Sequence, residues 1–326
     1  MIDCLTFQKS GLTEEEWDNY ILKGDNGTLF HKKSFLGYHL RKEIKDASLV
    51  FRKKGKIIAL LPGAIQESKK GKIYSSHYGA SWGGLVYQNP LNFADCKEIC
   101  LSLLSFSEKM GYHGIEITLP PTIYQRTSSD YIPFMFLQHG FRYKKRELTN
   151  IICFNNDIKI PDSFDRSVRW GAGKSKRMEI KIIKDSDDYS SFYELMEKSL
   201  EDKATTPTHS LEELLNLKKL FPKDIILWTA HKDNQLVGGM CNWQVQPGIW
   251  LIFYSAYLSG LSSYRILNRL YYEGITEYYN TGCRYVDFGT SSINMQVNEG
   301  LIAFKEQFLA YGVFRDTLIY DIPANR

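Results

Sequence analysis

Strand-like segments and long amphipathic helices alternate along the chain, which predicts an α/β fold with mixed sheets. Three observations extend that reading to a tandem duplication. A block of long helix, glycine stop and buried strand occurs twice, with Gly111 and Gly282 in equivalent places. The strands that follow are residues 115–118 and 285–288. Phe136-Leu137-Gln138-His139-Gly140-Phe141-Arg142 also aligns with Phe308-Leu309-Ala310-Tyr311-Gly312-Val313-Phe314, at an offset of 172. Self-similarity at a fixed spacing is the mark of a repeated unit. A polar stretch at 155–165 is the natural joint, so the expected domains are 1–155 and 156–326. The sequence leaves open whether the C-terminal strand stays in the second domain or crosses into the first.

The elements follow in order. Thr13 with Glu16 three residues on forms a capping box, and the helix runs to about residue 23. Residues 47–52 and 57–65 are strands joined across KKGK, and a third strand near Ile73 leads into the glycine-rich loop HYGASWGG at 77–84. The helix expected over 92–110 carries Cys96, Ile99, Cys100, Leu103, Phe106 and Met110 at helical spacing. Gly111 stands where a left-handed cap belongs. In the second half, 225–231, the segment QLVGGMCNW and 248–257 are strands. A helix over 262–280 carries Leu267, Leu270, Tyr271, Gly274, Ile275 and Tyr278. A strand over 284–288, a helix over 297–309 and a strand over 313–320 complete the chain.

Composition narrows the function. The 326 residues are 43% hydrophobic and 24% charged, so the chain is long and apolar enough for full cores. Lys plus Arg number 41 against 37 Asp plus Glu, a net charge of +4, too mild for a general nucleic-acid binder. Cys4, Cys96, Cys100, Cys153, Cys241 and Cys283 form no CxxC pair and read as reduced thiols. The seven histidines lack metal-binding spacing, so no metal is expected. The N-terminus has no signal-peptide pattern and no apolar run reaches 18 residues, so the expectation is a cytoplasmic protein without a transmembrane segment.

Four constellations could carry chemistry. The run DFGTSSINMQVNEGLIAFKEQF, 287–308, puts Asp287 at a strand end. Thr290, Ser291 and Ser292 follow in the turn, Asn298 precedes a helix, and Phe304 and Lys305 lie on it. In open α/β sheets, ligands bind at the carboxyl ends of strands. Read plainly, the same residues are a turn cap and a solvated lysine. Arg166, Arg169, Lys174, Lys176 and Arg177 form a basic segment suited to phosphate, or simply a solvated helix face. Ser210 and Glu213 form a second capping box, which sets His209 at a helix mouth as a candidate base. Strand alternation puts Trp250 and Tyr254 on one face and Phe253 and Tyr257 on the other, with core packing the simpler role for each.

The duplicated plan, the DFGTSS strand end, the run Asn298-Glu299-Gly300-Leu301-Ile302-Ala303-Phe304-Lys305-Glu306 and the basic helix together resemble FemABX-type aminoacyl transferases and their acetyltransferase-like relatives. The likeness covers most of the chain and is that of compact members with no coiled-coil arm. It implies two tandem GNAT-like domains around a cleft. It implies amide-forming acyl transfer from aminoacyl-tRNA to an amine of a peptidoglycan or other cell-envelope precursor. It implies that Phe304 and Lys305 lie at the reaction centre and Tyr254 near the acceptor. On that reading Asp287 and His209 are candidate bases, and the basic helix holds phosphates of tRNA or of a nucleotide-linked acceptor. No tightly bound cofactor is expected; aminoacyl-tRNA or acyl-CoA serves as co-substrate. A CoA-dependent N-acyltransferase acting on an amino sugar or polysaccharide is the second reading, although GLSSYR at 260–265 lacks the second glycine of a CoA loop. A non-catalytic ligand-binding scaffold is the third.

Overall fold

In the computed structural model, which describes residues 1–39, 44–155, 157–201 and 206–323, the chain divides into two units. Unit 1 comprises 1–147 and 314–326, and unit 2 comprises 148–313. The boundary thus lies at Glu147/Leu148 rather than at 155/156, and most of the last strand belongs to unit 1.

Unit 1 contains β1 (Ile2–Thr6), α1 (Phe7–Ser10), α2 (Glu14–Lys23), α3 (Lys33–Leu36), β2 (Leu49–Lys53), β3 (Lys56–Leu61), β4 (Ala64–Ser68), β5 (Gly71–Ser76), α4 (Phe93–Lys109), β6 (Gly114–Thr118) and α5 (Tyr131–Gln138). It also holds the first half of β7 (Arg142–Cys153). Strands β1, β2 and β3 form an antiparallel meander. A second sheet runs β4-β5-β6, with β5 and β6 parallel, and β6 pairs antiparallel with Thr317–Asp321 of the last strand. Thr13 and Glu16 form the expected capping box on α2, and Asn92 caps α4 through Asp95 N–H. The apolar stripe of α4, Cys96, Ile99, Cys100 and Leu103, is buried against Ile115 and Ile117 of β6.

Unit 2 contains the rest of β7, α6 (Arg166–Arg177), β8 (Lys181–Ile183), α7 (Tyr189–Glu201), α8 (Leu211–Leu220), β9 (Ile225–Lys232), β10 (Gln235–Gln246), β11 (Ile249–Tyr257), α9 (Ile266–Asn280), β12 (Tyr285–Thr290), β13 (Ser292–Ile293), β14 (Gln296–Val297), α10 (Glu299–Glu306) and the start of β15 (Tyr311–Asp321). Its sheet runs β7-β12-β11-β10-β9-β8, with β11 and β12 parallel and the other pairs antiparallel. The stripe of α9 (Leu270, Tyr271, Ile275 and Tyr278) joins the core with Trp250 and Ile252. Helix α6 lies on α9 through Val168, Gly171, Ala172 and Ser175. A Cβ at Gly171 would stand 3.2 Å from the Asn268 side chain, so glycine sets the closeness of that contact.

Three sequence expectations fail locally. The one strand expected over 57–65 is two, β3 ending at Leu61 and β4 starting at Ala64, and they belong to different sheets. Helix α9 starts at Ile266, because Arg265 takes a left-handed φ of 55° after a turn of 3-10 helix at Ser262–Tyr264. Trp250 and Tyr254 do not share a face. Cys241 pairs with Tyr254 and Asn242 with Ile252, so Phe253 is the extra residue of a β-bulge. Beyond the bulge the alternation inverts. Trp250 stacks on Tyr278 of α9, and Tyr254 bonds to His209 instead.

Candidate active site

The end of β12 is where the sequence concentrates its chemistry. Parallel pairing of β11 with β12 extends from Ile249/Tyr285 to Leu251/Asp287. Past that point the chain turns at Gly289, whose φ is 72°, a conformation that glycine adopts without strain. The Asp287 carboxylate shapes this turn. It accepts from the Gly289 N–H at 2.7 Å and from the Thr149 hydroxyl of β7 at 2.5 Å. Asp287 is buried and acts here as a brace.

Lys305 enters from α10. Asn298 caps that helix, accepting from Leu301 N–H at 2.9 Å, and fixes its direction. The Lys305 side chain is buried, and Nζ donates to the Gly289 carbonyl at 2.8 Å, to Ser291 Oγ at 2.8 Å and to the Thr290 carbonyl at 3.4 Å. Ser291 in turn donates to Asn150 Oδ1, and Ser292 Oγ accepts from Leu148 N–H at 2.9 Å. Among the described residues, no carboxylate forms a salt bridge with Lys305. Burial therefore pushes its pKa down to about 8, against a smaller upward pull from Asp287. An ammonium held by neutral oxygens keeps its charge near neutral pH and gives it up easily above pH 8. Phe304, half-buried, packs edge-on against Tyr271 and Phe308 beside it.

His209 and Tyr254 form a second group. His209 Nδ1 and Tyr254 Oη lie 2.7 Å apart, and the His209 N–H donates to the same oxygen at 3.2 Å. Tyr193 Oη donates to the His209 carbonyl at 3.1 Å. The His209 ring lies against Trp243 and Phe253, which stack on each other at 3.9 Å. Burial pushes the Tyr254 hydroxyl well above its ordinary pKa, so it stays protonated. The Ser210–Glu213 capping box is present, as the spacing required. The basic residues occupy a third place. Arg166, Arg169 and Arg177 are exposed and Lys174 is half-buried along α6.

Thus Asp287, Thr290, Ser291, Ser292, Asn298 and Lys305 converge on one turn, while Phe304 packs on Tyr271 and Phe308. The sequence predicts a strand over 148–154 but not its part in the site, where Leu148, Thr149 and Asn150 of β7 supply a carbonyl, a hydroxyl and an amide oxygen. The signal was available. Thr149 and Asn150 interrupt the otherwise apolar segment 148–154 and are both buried. Among the described residues, no cluster of His, Cys, Asp and Glu is arranged to hold a metal, and no helix is long and apolar enough to cross a membrane.

Residues 163–298 match the family model described as an acetyltransferase (GNAT) domain. The match falls within the second unit and supports an acyltransferase. Lys305 lies just beyond the matched residues. No curated protein sequence matches the chain. The chain is similar to the crystal structure of FemX, with 13% identity and a TM-score of 0.72 over 98% of this chain and 97% of that one. It is also similar to the C-terminal domain (DUF2156) of a putative lysylphosphatidylglycerol synthetase from Agrobacterium fabrum. There the identity is 8% and the TM-score 0.61, over 94% and 90% of the two chains. A tandem GNAT protein from the clavulanic acid biosynthesis pathway aligns over 100% and 99%, with 10% identity and a TM-score of 0.54. At these identities what is shared is the fold, two GNAT-like units in tandem.

Proposed function

We propose that the chain forms an amide by transferring an aminoacyl group from aminoacyl-tRNA to an amine of a cell-envelope precursor, with Lys305 at the reaction centre. The observation that carries this reading is a buried lysine, without a carboxylate salt bridge among the described residues, at the carboxyl end of β12. The amine nitrogen attacks the ester carbonyl, the new N–C bond forms, and the C–O bond to the donor breaks. The amine loses its proton and the leaving hydroxyl gains one. Between these events negative charge collects on the carbonyl oxygen. The Lys305 ammonium stabilises it, turning its weak 3.4 Å bond away from the Thr290 carbonyl toward the new oxyanion. Asp287 serves this step indirectly, through the turn it braces. Phe304 covers the site, and the protonated Tyr254, oriented by His209, takes the acceptor side. The GNAT domain match favours a second reading, in which acyl-CoA replaces the tRNA ester and a C–S bond breaks.

The test is transfer of a labelled amino acid from a charged-tRNA pool to nucleotide-linked peptide amines, with acetyl-CoA as the alternative donor. Lys305→Ala should keep a native melting transition and lose about two orders of magnitude or more in rate. Full turnover by that variant would remove Lys305 from the chemistry. Product from acetyl-CoA alone would move the donor to CoA.

A further inference from the structure

Helix α6 has two faces of opposite character. Val168, Gly171, Ala172 and Ser175 are buried against α9. The opposite face carries Arg166, Arg169, Trp170, Gly173 and Arg177, which fall on one line at helical spacing, with Lys174 and Lys176 flanking it. The five cations of this helix exceed the +4 of the whole chain, and residues 166–177 include no acid. Among the described residues none of the five forms a salt bridge. Asp165, the helix cap, lies within electrostatic reach of Arg169, and Glu179 follows two residues past Arg177. A solvated helix face accounts for the cations but not for Trp170. Its indole is 53% exposed in their midst, with Lys174 Nζ 5.3 Å and the Arg265 guanidinium 6.0 Å from its ring. A large exposed aromatic ringed by unpaired cations is the combination that holds a single nucleic-acid strand: phosphates on the arginines, a base on the ring. Gly173 keeps the middle of the line clear, since a Cβ there would meet only Arg177 at 3.4 Å. The 12-residue helix is about 16 Å long, enough for several phosphates in a row.

The line also leads to the reacting lysine. The Asp165 N–H donates to the Gln307 carbonyl at 3.0 Å, and Ser167 Oγ donates to Gln307 Oε1 at 3.1 Å. Gln307 is two residues past Lys305. We infer that the exposed face of α6 binds the single-stranded end of an RNA donor, stacking one base on Trp170 and seating its phosphates on Arg166, Arg169 and Arg177. This rests on the RNA-linked donor of the proposed function and adds where that donor is held.

The experiment is fluorescence anisotropy of the full chain with a fluorescein-labelled single-stranded RNA dodecamer, over a salt series. The expected result is salt-dependent binding, weakened about tenfold by Trp170→Ala and restored by Trp170→Tyr. Arg166→Gln, Arg169→Gln and Arg177→Gln combined should reduce the salt slope by about 2, at about 0.7 per phosphate contact. Trp170 and the arginines face away from α9, so these variants keep the packed face of α6; a melting curve checks this. Unchanged binding in both variants overturns the inference. So does displacement of the RNA by CoA at comparable concentration, which would make this face a coenzyme site, or equal affinity for a duplex of the same sequence. Lys305→Ala separates the two claims: it should bind the dodecamer as wild type does while failing in transfer. A wild-type chain that binds RNA but transfers from no charged tRNA would break the functional reading and leave the binding face standing.

Discussion

The two units close the same strand–helix blocks with the same backbone bonds, and the side chains at matching positions differ. After α4, Gly111 N–H donates to Glu108 O and Tyr112 N–H to Ser107 O; after α9, Gly282 N–H donates to Tyr279 O and Cys283 N–H to Tyr278 O. On that register Glu116 of β6 stands where β12 has Asp287. Glu116 is ion-paired with Lys144 at 2.7 Å. The ends of α5 and α10 also match. Phe141 N–H donates to Phe136 O, and Ala310 N–H to Lys305 O. Unit 1 therefore has buried Phe136 where unit 2 has Lys305. Unit 1 does bury a lysine of its own, Lys33, but in a different setting. Its Nζ meets Asp46 at 2.5 Å and Ser48 Oγ at 2.8 Å, over the rings of Phe7 and Trp17. A buried lysine paired with a carboxylate holds structure together; one held by neutral oxygens keeps a charge to offer a reacting group.

That contrast can be broken by experiment, and the largest effect expected is on rate against pH. If the Lys305 ammonium stabilises an oxyanion, single-turnover transfer should fall as pH rises through about 8, roughly tenfold per unit above it. A rate that climbs through the same pH would make Lys305 a base instead. Next in size is acid sensitivity confined to unit 1. His31 is buried and neutral there: Nδ1 accepts from Thr28 N–H at 3.0 Å and Nε2 donates to the Gly83 carbonyl at 2.8 Å. Burial holds its pKa down at about 4. The unfolded chain binds this proton near pH 6.5, so stability is complete above that value and is lost as pH falls toward 4, by about 3 kcal/mol in all. Denaturant midpoints measured for wild type and His31→Gln should converge as the pH drops; parallel curves would show that His31 does not titrate this way. Smallest is Lys33→Met, which strands a partly exposed Asp46 and should cost about 2–3 kcal/mol of stability. Transfer by the fraction that remains folded should be unchanged. A rate loss like that of Lys305→Ala would end the distinction between the two lysines.

The same comparison shows how far the sequence could be read. The repeated plan, the long helices and the caps at Ser210 and Thr13 were legible, because each rests on contacts a few residues apart. The seven-residue match was misleading in detail. It sets Gly140 on Gly312, whereas the helix-closing bonds set Gly140 on Leu309. Both are left-handed, with φ of 93° and 67°, and a leucine in that conformation gives no warning in a sequence. The bulge at Phe253 was equally silent, since alternation assumes that every residue is paired.

The sequence by itself determined the class of fold and the doubling of the plan, and it singled out the segment from Asp287 to Lys305 as the candidate place for chemistry. Periodicity, capping and turn residues act over one or two turns of chain, and those are present in the order of residues. Only the tertiary structure decided what kind of lysine Lys305 is. Its Ser291 partner leans on Asn150, and the Asp287 brace leans on Thr149, each more than a hundred residues away along the chain. A buried charge takes its proton affinity from whatever surrounds it in space, and strand β7 supplies that surrounding only once the sheet has formed.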